Sequence, residues 1–210
     1  MRALPAPTST VVTELAELLS GPPEQVAPLL LGGLLSHGGV TVRLTEVEAY
    51  AGPADPGSHA YRGRTDRNAV MFGPAGHLYV YFTYGMHFCA NVVCGPEGEP
   101  SGCLLRAGEV VAGIDLARER RPRSGDRDLA RGPARLTRAL DLTREHDGAD
   151  LTRGPVRLEL GEPVDRVSTG PRVGLRGAPE RPWRFWVTDD PTVSVYRPAK
   201  ALPSGRRAGP

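Results

Sequence analysis

Between residues 40 and 50 the chain reads VTVRLTEVEAY, and this stretch constrains the fold more than any other. Val40, Val42 and Leu44 alternate with Thr41, Arg43 and Thr45, the period of two that describes a strand with one face on a core. Continued without interruption, the alternation puts Glu46, Glu48 and Tyr50 on the apolar side, with Val47 and Ala49 opposite. A carboxylate in an apolar interior is costly unless it is paired or used. Either the strand bulges and turns the acids outward, or at least one acid lines a pocket.

The residues that follow favour a pocket. Tyr50, Pro53, Asp55, His59 and Tyr61 lie in a stretch rich in Gly and Pro, a rigid backbone with aromatic faces and hydrogen-bonding tips suited to a planar polar ligand. Tyr79, Tyr81 and Tyr84 add aromatic groups in a second segment, with Asn91 close behind. Tyr79 reads as a packing residue, while the others offer faces on which a nucleobase can stack. Arg62, Arg64 and Arg67 of YRGRTDRN are of the type that holds phosphates.

At 210 residues the chain can bury one sizeable core, and 40% hydrophobic with 24% charged residues is a globular balance. The 26 Gly and 21 Pro punctuate periodic segments and read as turns. TSTVVTELAELLSG and PPEQVAPLLLGGLLSHGG have helical spacing, the second with Pro23 in its first turn and Gly38 or Gly39 as its stop. GHLYVYFTYG and MHFCANVVCG form a hairpin tipped by Tyr84, Gly85, Met86 and His87. GCLLRAGEVV is a strand, AGIDLARERR and GPARLTRALDL are short helices, and VRLEL, RVGL, WRFWV and VSVYRP read as later strands. The sum is a mixed α+β chain, residues 1–198 forming one domain and 199–210 a disordered tail.

The formal charge of +2 is nearly balanced, yet from Arg118 to Arg138 eight arginines face three acids, and Asp141, Glu145, Asp147 and Asp150 follow. A polyanion partner and an ordinary solvated face both fit this pattern. Three cysteines without a leader-like segment ahead of them point to a reducing compartment, and no run approaches the length of a membrane-spanning helix.

The series TEVEAYAGPADPGSHAYRGRTDRNAVMFGPAGHLYVYFTYGMHFCANVV, then CLLRAGEVVAG and RGPARLTRAL, resembles the alkyladenine (3-methyladenine) DNA glycosylase family in a bacterial version, from about Leu30 to Arg197. The resemblance implies a curved, partly barrel-like antiparallel sheet surrounded by helices, with a protruding hairpin that inserts into DNA. It implies that Glu48 activates the water, with Arg106 beside the water and the sugar-phosphate, and that Glu46 supports or merely occupies the strand. Tyr50, His59 and Tyr81 match positions that sandwich and hydrogen-bond a flipped base, and Asn91 matches the residue that crowds guanine's amino group. Tyr84 matches the wedge that fills the vacated stack, Met86 and His87 follow it into the minor groove, and Arg67 and Arg135 match phosphate contacts. Where His87 stands, family members often carry another aromatic residue. The implied partner is double-stranded DNA containing damaged purines, met in the bacterial cytoplasm by a monomer without cofactor, metal or obligate protein partner.

The chemistry fits a carboxylate, because breaking a purine glycosidic bond builds positive charge on the sugar, which a nearby acid stabilises while it activates water. A metal site from His87, Cys89, Cys94 and Cys103 lacks a CxxC knuckle. Two further alternatives are a non-catalytic module that binds damaged nucleic acid and an N-glycosidase acting on RNA or nucleotides.

Overall fold

The structure, a computed structural model, describes residues 15–83 and 85–199. Residues 15–19 are helical, the end of the first expected helix, whose start lies outside the described residues. Helix α1 (Pro23–Leu29) opens with proline in its first turn, as expected, but it ends far short of Gly38. Pro28 removes a backbone donor inside it, and Gly32 takes a positive φ of 79° just beyond its end. The next residues, LLSH, are therefore not helix but strand β1 (Leu34–His37), which pairs with β2 (Val40–Tyr50). His37 faces Val40 across Gly38 and Gly39, whose φ values of 54° and 80° suit the tight two-residue hairpin turn that only glycine adopts cheaply.

Strands β3 (Leu78–Thr83), β4 (His87–Val93) and β5 (Gly102–Ala112) complete the centre of a nine-stranded sheet. Its path runs β3-β4-β5-β2-β1 and then β7 (Arg157–Glu159). Strand β6 (Ala130–Arg131) pairs with β5, while β8 (Val167–Gly170) pairs with β9 (Arg184–Val187), which in turn pairs with β2. Every pairing is antiparallel, and among the described residues the path has two free ends and does not close into a barrel. The expected strands RVGL and VSVYRP are irregular segments instead, each with one N–H bonded to an acid of β2. Helices α2 (Ile114–Arg120) and α3 (Pro133–Ala139) fall where the sequence puts them.

One face of the sheet carries the main core. Leu78 and Val80 of β3, Ala90 and Val92 of β4, and Cys103 and Leu105 of β5 join Val26, Ala27, Leu136 and Leu140 from the helical segments. On β2 the core contributors are Val40, Val42 and Leu44, then Val47 and Ala49, so the parity changes within the strand. The change has a local cause. Leu44 faces Gly108 and Glu46 faces Ala107, so Thr45 is an extra residue on β2, a β-bulge that shifts the alternation by one. Glu46, Glu48 and Tyr50 thereby leave the apolar side, yet the acids do not reach solvent, since both are 0% exposed. The bulge that the sequence allowed is present, but it carries the acids to the other face of the strand without turning them to solvent.

Candidate active site

The face opposite the main core is organised by strand register. Tyr79 pairs with Asn91, Asn91 with Leu104, and Leu104 with Glu48, so one row crosses β3, β4, β5 and β2 and projects to the same side. Tyr81 and Tyr50 flank the row two residues along their strands. Opposite Tyr50 stands Gly102, where no side chain competes for the space. Tyr79 and Val93 pack with Ala60 and Met71 in a second, smaller cluster on this face.

Glu48 is held by three donors. The Tyr50 hydroxyl donates to Oε2 at 2.8 Å, Arg106 Nη1 donates to the same oxygen at 3.3 Å, and the Val173 N–H donates to Oε1 at 2.6 Å. Burial first, and the Glu48 charge second, push the Tyr50 phenol well above its ordinary pKa, so it stays a neutral donor. Glu46 is held more completely. Its Oε1 accepts from Arg184 Nε at 2.6 Å, Ser194 Oγ at 3.0 Å and Arg106 Nε at 3.1 Å, while Oε2 accepts the Ser194 N–H at 2.7 Å.

Arg106, 7% exposed, thus bridges the two acids with one guanidinium. Burial alone would lower its pKa, but Glu48 and Glu46 reverse the sign and raise it, which keeps the cation charged. Arg184 also donates to the Ser194 carbonyl oxygen at 3.0 Å and lies 4.5 Å over the Trp186 ring. Among the described residues Glu46 takes four donors, three on Oε1 and one on Oε2, against three on Glu48. One oxygen of each acid, Glu46 Oε2 and Glu48 Oε1, accepts a single backbone N–H among the described residues.

His59 lies beside the row. Its Nδ1 is 3.2 Å from the Tyr79 hydroxyl, and its ring meets Tyr81 edge-on with centroids 4.5 Å apart. Desolvation first, and the Arg67 charge second, lower its pKa and favour the neutral imidazole. Burial pushes the Tyr81 phenol up as well, followed by the influence of Cys89. Asn91 is 7% exposed and donates Nδ2 to the Tyr79 carbonyl oxygen at 3.2 Å. The structure therefore gathers Glu48, Arg106, Tyr50, His59, Tyr81 and Asn91 on one face.

None of the described residues expected to meet DNA bonds to either acid. Tyr84 lies outside the described residues. Met86, 69% exposed, and His87 stand where β3 turns into β4. Arg67 is exposed; its Nη2 donates to the Phe82 carbonyl oxygen at 3.2 Å and its guanidinium lies 5.7 Å over the Tyr81 ring. Arg135 is exposed on α3, the helix whose Thr137 Oγ1 donates to the Phe88 carbonyl oxygen of β4 at 2.8 Å. Part of the arginine surplus is internally paired: Arg118 forks onto Asp126 with both contacts at 2.9 Å, and Arg127 and Arg131 both reach Asp128.

Sequence reading missed Arg172, Val173, Arg184 and Ser194, each more than a hundred residues beyond the acid it serves. The signal that calls for them is the burial of Glu46 and Glu48, which demands cations and N–H donors without saying which. No group of three metal-ligating side chains occurs among the described residues, and none of their helices is long and apolar enough to cross a membrane.

Comparison with known proteins fits this polar, aromatic face. The family model described as methylpurine-DNA glycosylase (MPG) matches residues 17–191. Three similar proteins each carry the name "Putative 3-methyladenine DNA glycosylase". The protein of Streptomyces avermitilis is 55% identical over 203 residues, covering 91% of this chain and 94% of the relative. That of Frankia casuarinae is 51% identical over 208 residues, covering 93% and 98%, and that of Nocardia farcinica 50% identical over 202 residues, covering 91% and 95%. These matches place the chain among enzymes of DNA repair, as a DNA glycosylase. Within that class, the chain belongs to the methylpurine-DNA glycosylase family.

Proposed function

We propose that this enzyme removes alkylated and deaminated purines from duplex DNA, the class of 3-methyladenine, 7-methylguanine, hypoxanthine and ethenoadenine. The nucleotide leaves the stack, because its glycosidic bond is inaccessible inside the duplex, and Glu48 deprotonates the attacking water. The observation that carries this reading is the contrast between two buried carboxylates. Glu46 is held by two arginines and twice by Ser194, whereas Glu48 has a single arginine contact at 3.3 Å and stands in the row that includes Asn91 and Tyr79.

Arg106 steadies Glu48 and offers positive charge towards the sugar-phosphate. Tyr50, His59 and Tyr81 hold the flipped base between ring faces, and Asn91 crowds the amino group of guanine. The turn carrying Tyr84, Met86 and His87 enters the minor groove with Tyr84 as the wedge, while Arg67 and Arg135 hold phosphates. A cation such as 3-methyladenine departs readily as a neutral base, whereas hypoxanthine needs a proton or hydrogen bond.

The test is incubation of the purified protein with duplexes carrying single 7-methylguanine or hypoxanthine bases, followed by alkali. Strand breaks at the lesion are expected, at rates above those for matched RNA or free nucleosides. Binding without breaks identifies a non-catalytic module, and faster release from RNA or nucleosides identifies the other N-glycosidase.

A further inference from the structure

A second buried ion pair lies beside Glu48. Arg172, 2% exposed, forks onto Asp55, 0% exposed, with Nη1 donating to Oδ2 at 2.5 Å and Nη2 to Oδ1 at 2.7 Å. Nη1 also donates to the Ala49 carbonyl oxygen at 2.9 Å, one residue from the catalytic candidate, and the guanidinium lies 4.6 Å over the Tyr50 ring. Asp55 accepts the Gly57 N–H at 3.0 Å and the Ala51 N–H at 3.3 Å, tying the loop after β2 to the same cation.

The pair is poorly built for stability alone. Arg172 Nε is buried and has no hydrogen-bond partner among the described residues, and an unsatisfied buried donor is unfavourable. Buried ion pairs are in general weak sources of net stability. Its geometry serves something else. The residue after Arg172 is Val173, whose N–H donates to Glu48 Oε1, and the ring under the guanidinium is Tyr50, whose hydroxyl donates to Glu48 Oε2. Fixing Arg172 therefore fixes two of the three donors on Glu48.

The two loops leave little slack. A Cβ at Gly57 would lie 2.5 Å from Leu175 Cδ2 and 3.1 Å from Arg172 Nη2, and a Cβ at Gly177 would lie 2.7 Å from the Pro56 carbonyl.

We infer that Arg172, clamped by Asp55, is a positioning residue that sets the orientation of the Glu48 carboxylate through the Val173 peptide and the Tyr50 ring. This rests on the reading of Glu48 as the base.

Two variants test it. Arg172→Lys keeps the charge but loses the planar fork, and the double variant Asp55→Asn with Arg172→Gln removes both charges so that neither is left unpaired. Each is compared with the wild type in single-turnover excision of hypoxanthine from duplex DNA and in affinity for a duplex containing a stable abasic analogue. Excision is expected to fall about tenfold or more in both variants, the scale of a misplaced reacting group, with affinity within about threefold of wild type. Excision within twofold of wild type overturns the inference. So does a parallel loss of rate and affinity, or loss of the fold in both variants, since the pair is then a structural element. If the wild type itself excises nothing, the glycosylase reading fails first, and the comparison separates the two failures.

Discussion

The division of labour between the two buried glutamates can be tested by replacing each with glutamine. In Glu46→Gln the side-chain amide can keep only one acceptor. Keeping it towards Arg184, Arg106 and Ser194 Oγ turns the amide NH₂ against the Ser194 N–H, now 2.7 Å from Oε2, and leaves Arg184 without its countercharge while Arg106 keeps only Glu48. An unsatisfied buried donor costs about 1–3 kcal/mol and a broken buried ion pair about 3–5 kcal/mol, so we expect a loss of about 3 kcal/mol. For a chain of this length that lowers Tm by about 6–12 °C.

In Glu48→Gln the retained oxygen still accepts from Val173, and the phenol of Tyr50 can accept instead of donate. Only the Arg106 contact, at 3.3 Å the longest of the three, opposes the amide, and Arg106 keeps Glu46. The expected cost is about 1 kcal/mol, or about 2–4 °C. Excision, in contrast, should fall about a hundredfold or more in Glu48→Gln, the scale of a general base, and far less in folded Glu46→Gln. The assays are thermal unfolding by circular dichroism and single-turnover excision well below both midpoints. Near-normal excision by Glu48→Gln, or an equal loss in folded Glu46→Gln, refutes the assignment of roles.

Further outcomes follow from other positions. Asn91→Ser should raise excision of normal guanine relative to hypoxanthine, and an unchanged ratio in competition assays argues against Asn91 lining the pocket. Tyr84→Ser should lower the flipped fraction of a fluorescent lesion base in duplex DNA; flipping as complete as in wild type removes the wedge role. Arg67→Ala and Arg135→Ala should each reduce the salt dependence of duplex affinity by about one unit of slope, and a slope equal to wild type removes the phosphate contact. Burial alone would raise the pKa of the Asp55 carboxyl, but Arg172 and the Gly57 and Ala51 N–H groups hold it below the ordinary value. That stabilisation is present above about pH 4 and lost as pH falls through the folded value, so Asp55→Asn should flatten the acid decline of Tm. An unaltered acid slope contradicts the assignment.

What the sequence discloses depends on whether a pattern is local. The alternation in VTVRL gives a strand, and the antiparallel pairing of β3 with β4 follows from alternation and the intervening turn residues. LLSHGG reads as the end of a helix because leucine suits both states; the decisive feature is the pair of glycines at positive φ, a hairpin signal that the preceding helical run obscures. RVGL has the composition of a strand but serves as a loop whose backbone caps Glu48.

The chemistry-bearing residues before Arg106 were legible as a cluster of types, and their roles came from family resemblance. Arg172 and Arg184 were not legible at all. The chain holds 26 Lys and Arg residues, and nothing in their spacing tells which will meet a particular carboxylate more than a hundred positions earlier.

The extra residue at Thr45 bears on how this protein can change over generations. The inward or outward direction of every residue from Glu46 to Tyr50 is fixed by a count of residues, and substitution leaves that count untouched. Loss of one codon between Leu44 and Glu46 would remove the extra residue on β2 and reverse the strand beyond it, turning the two acids into the apolar layer and Val47 and Ala49 out of it. In this segment the active site tolerates drift in letters far more readily than drift in length, and insertions and deletions have to accumulate elsewhere in the chain.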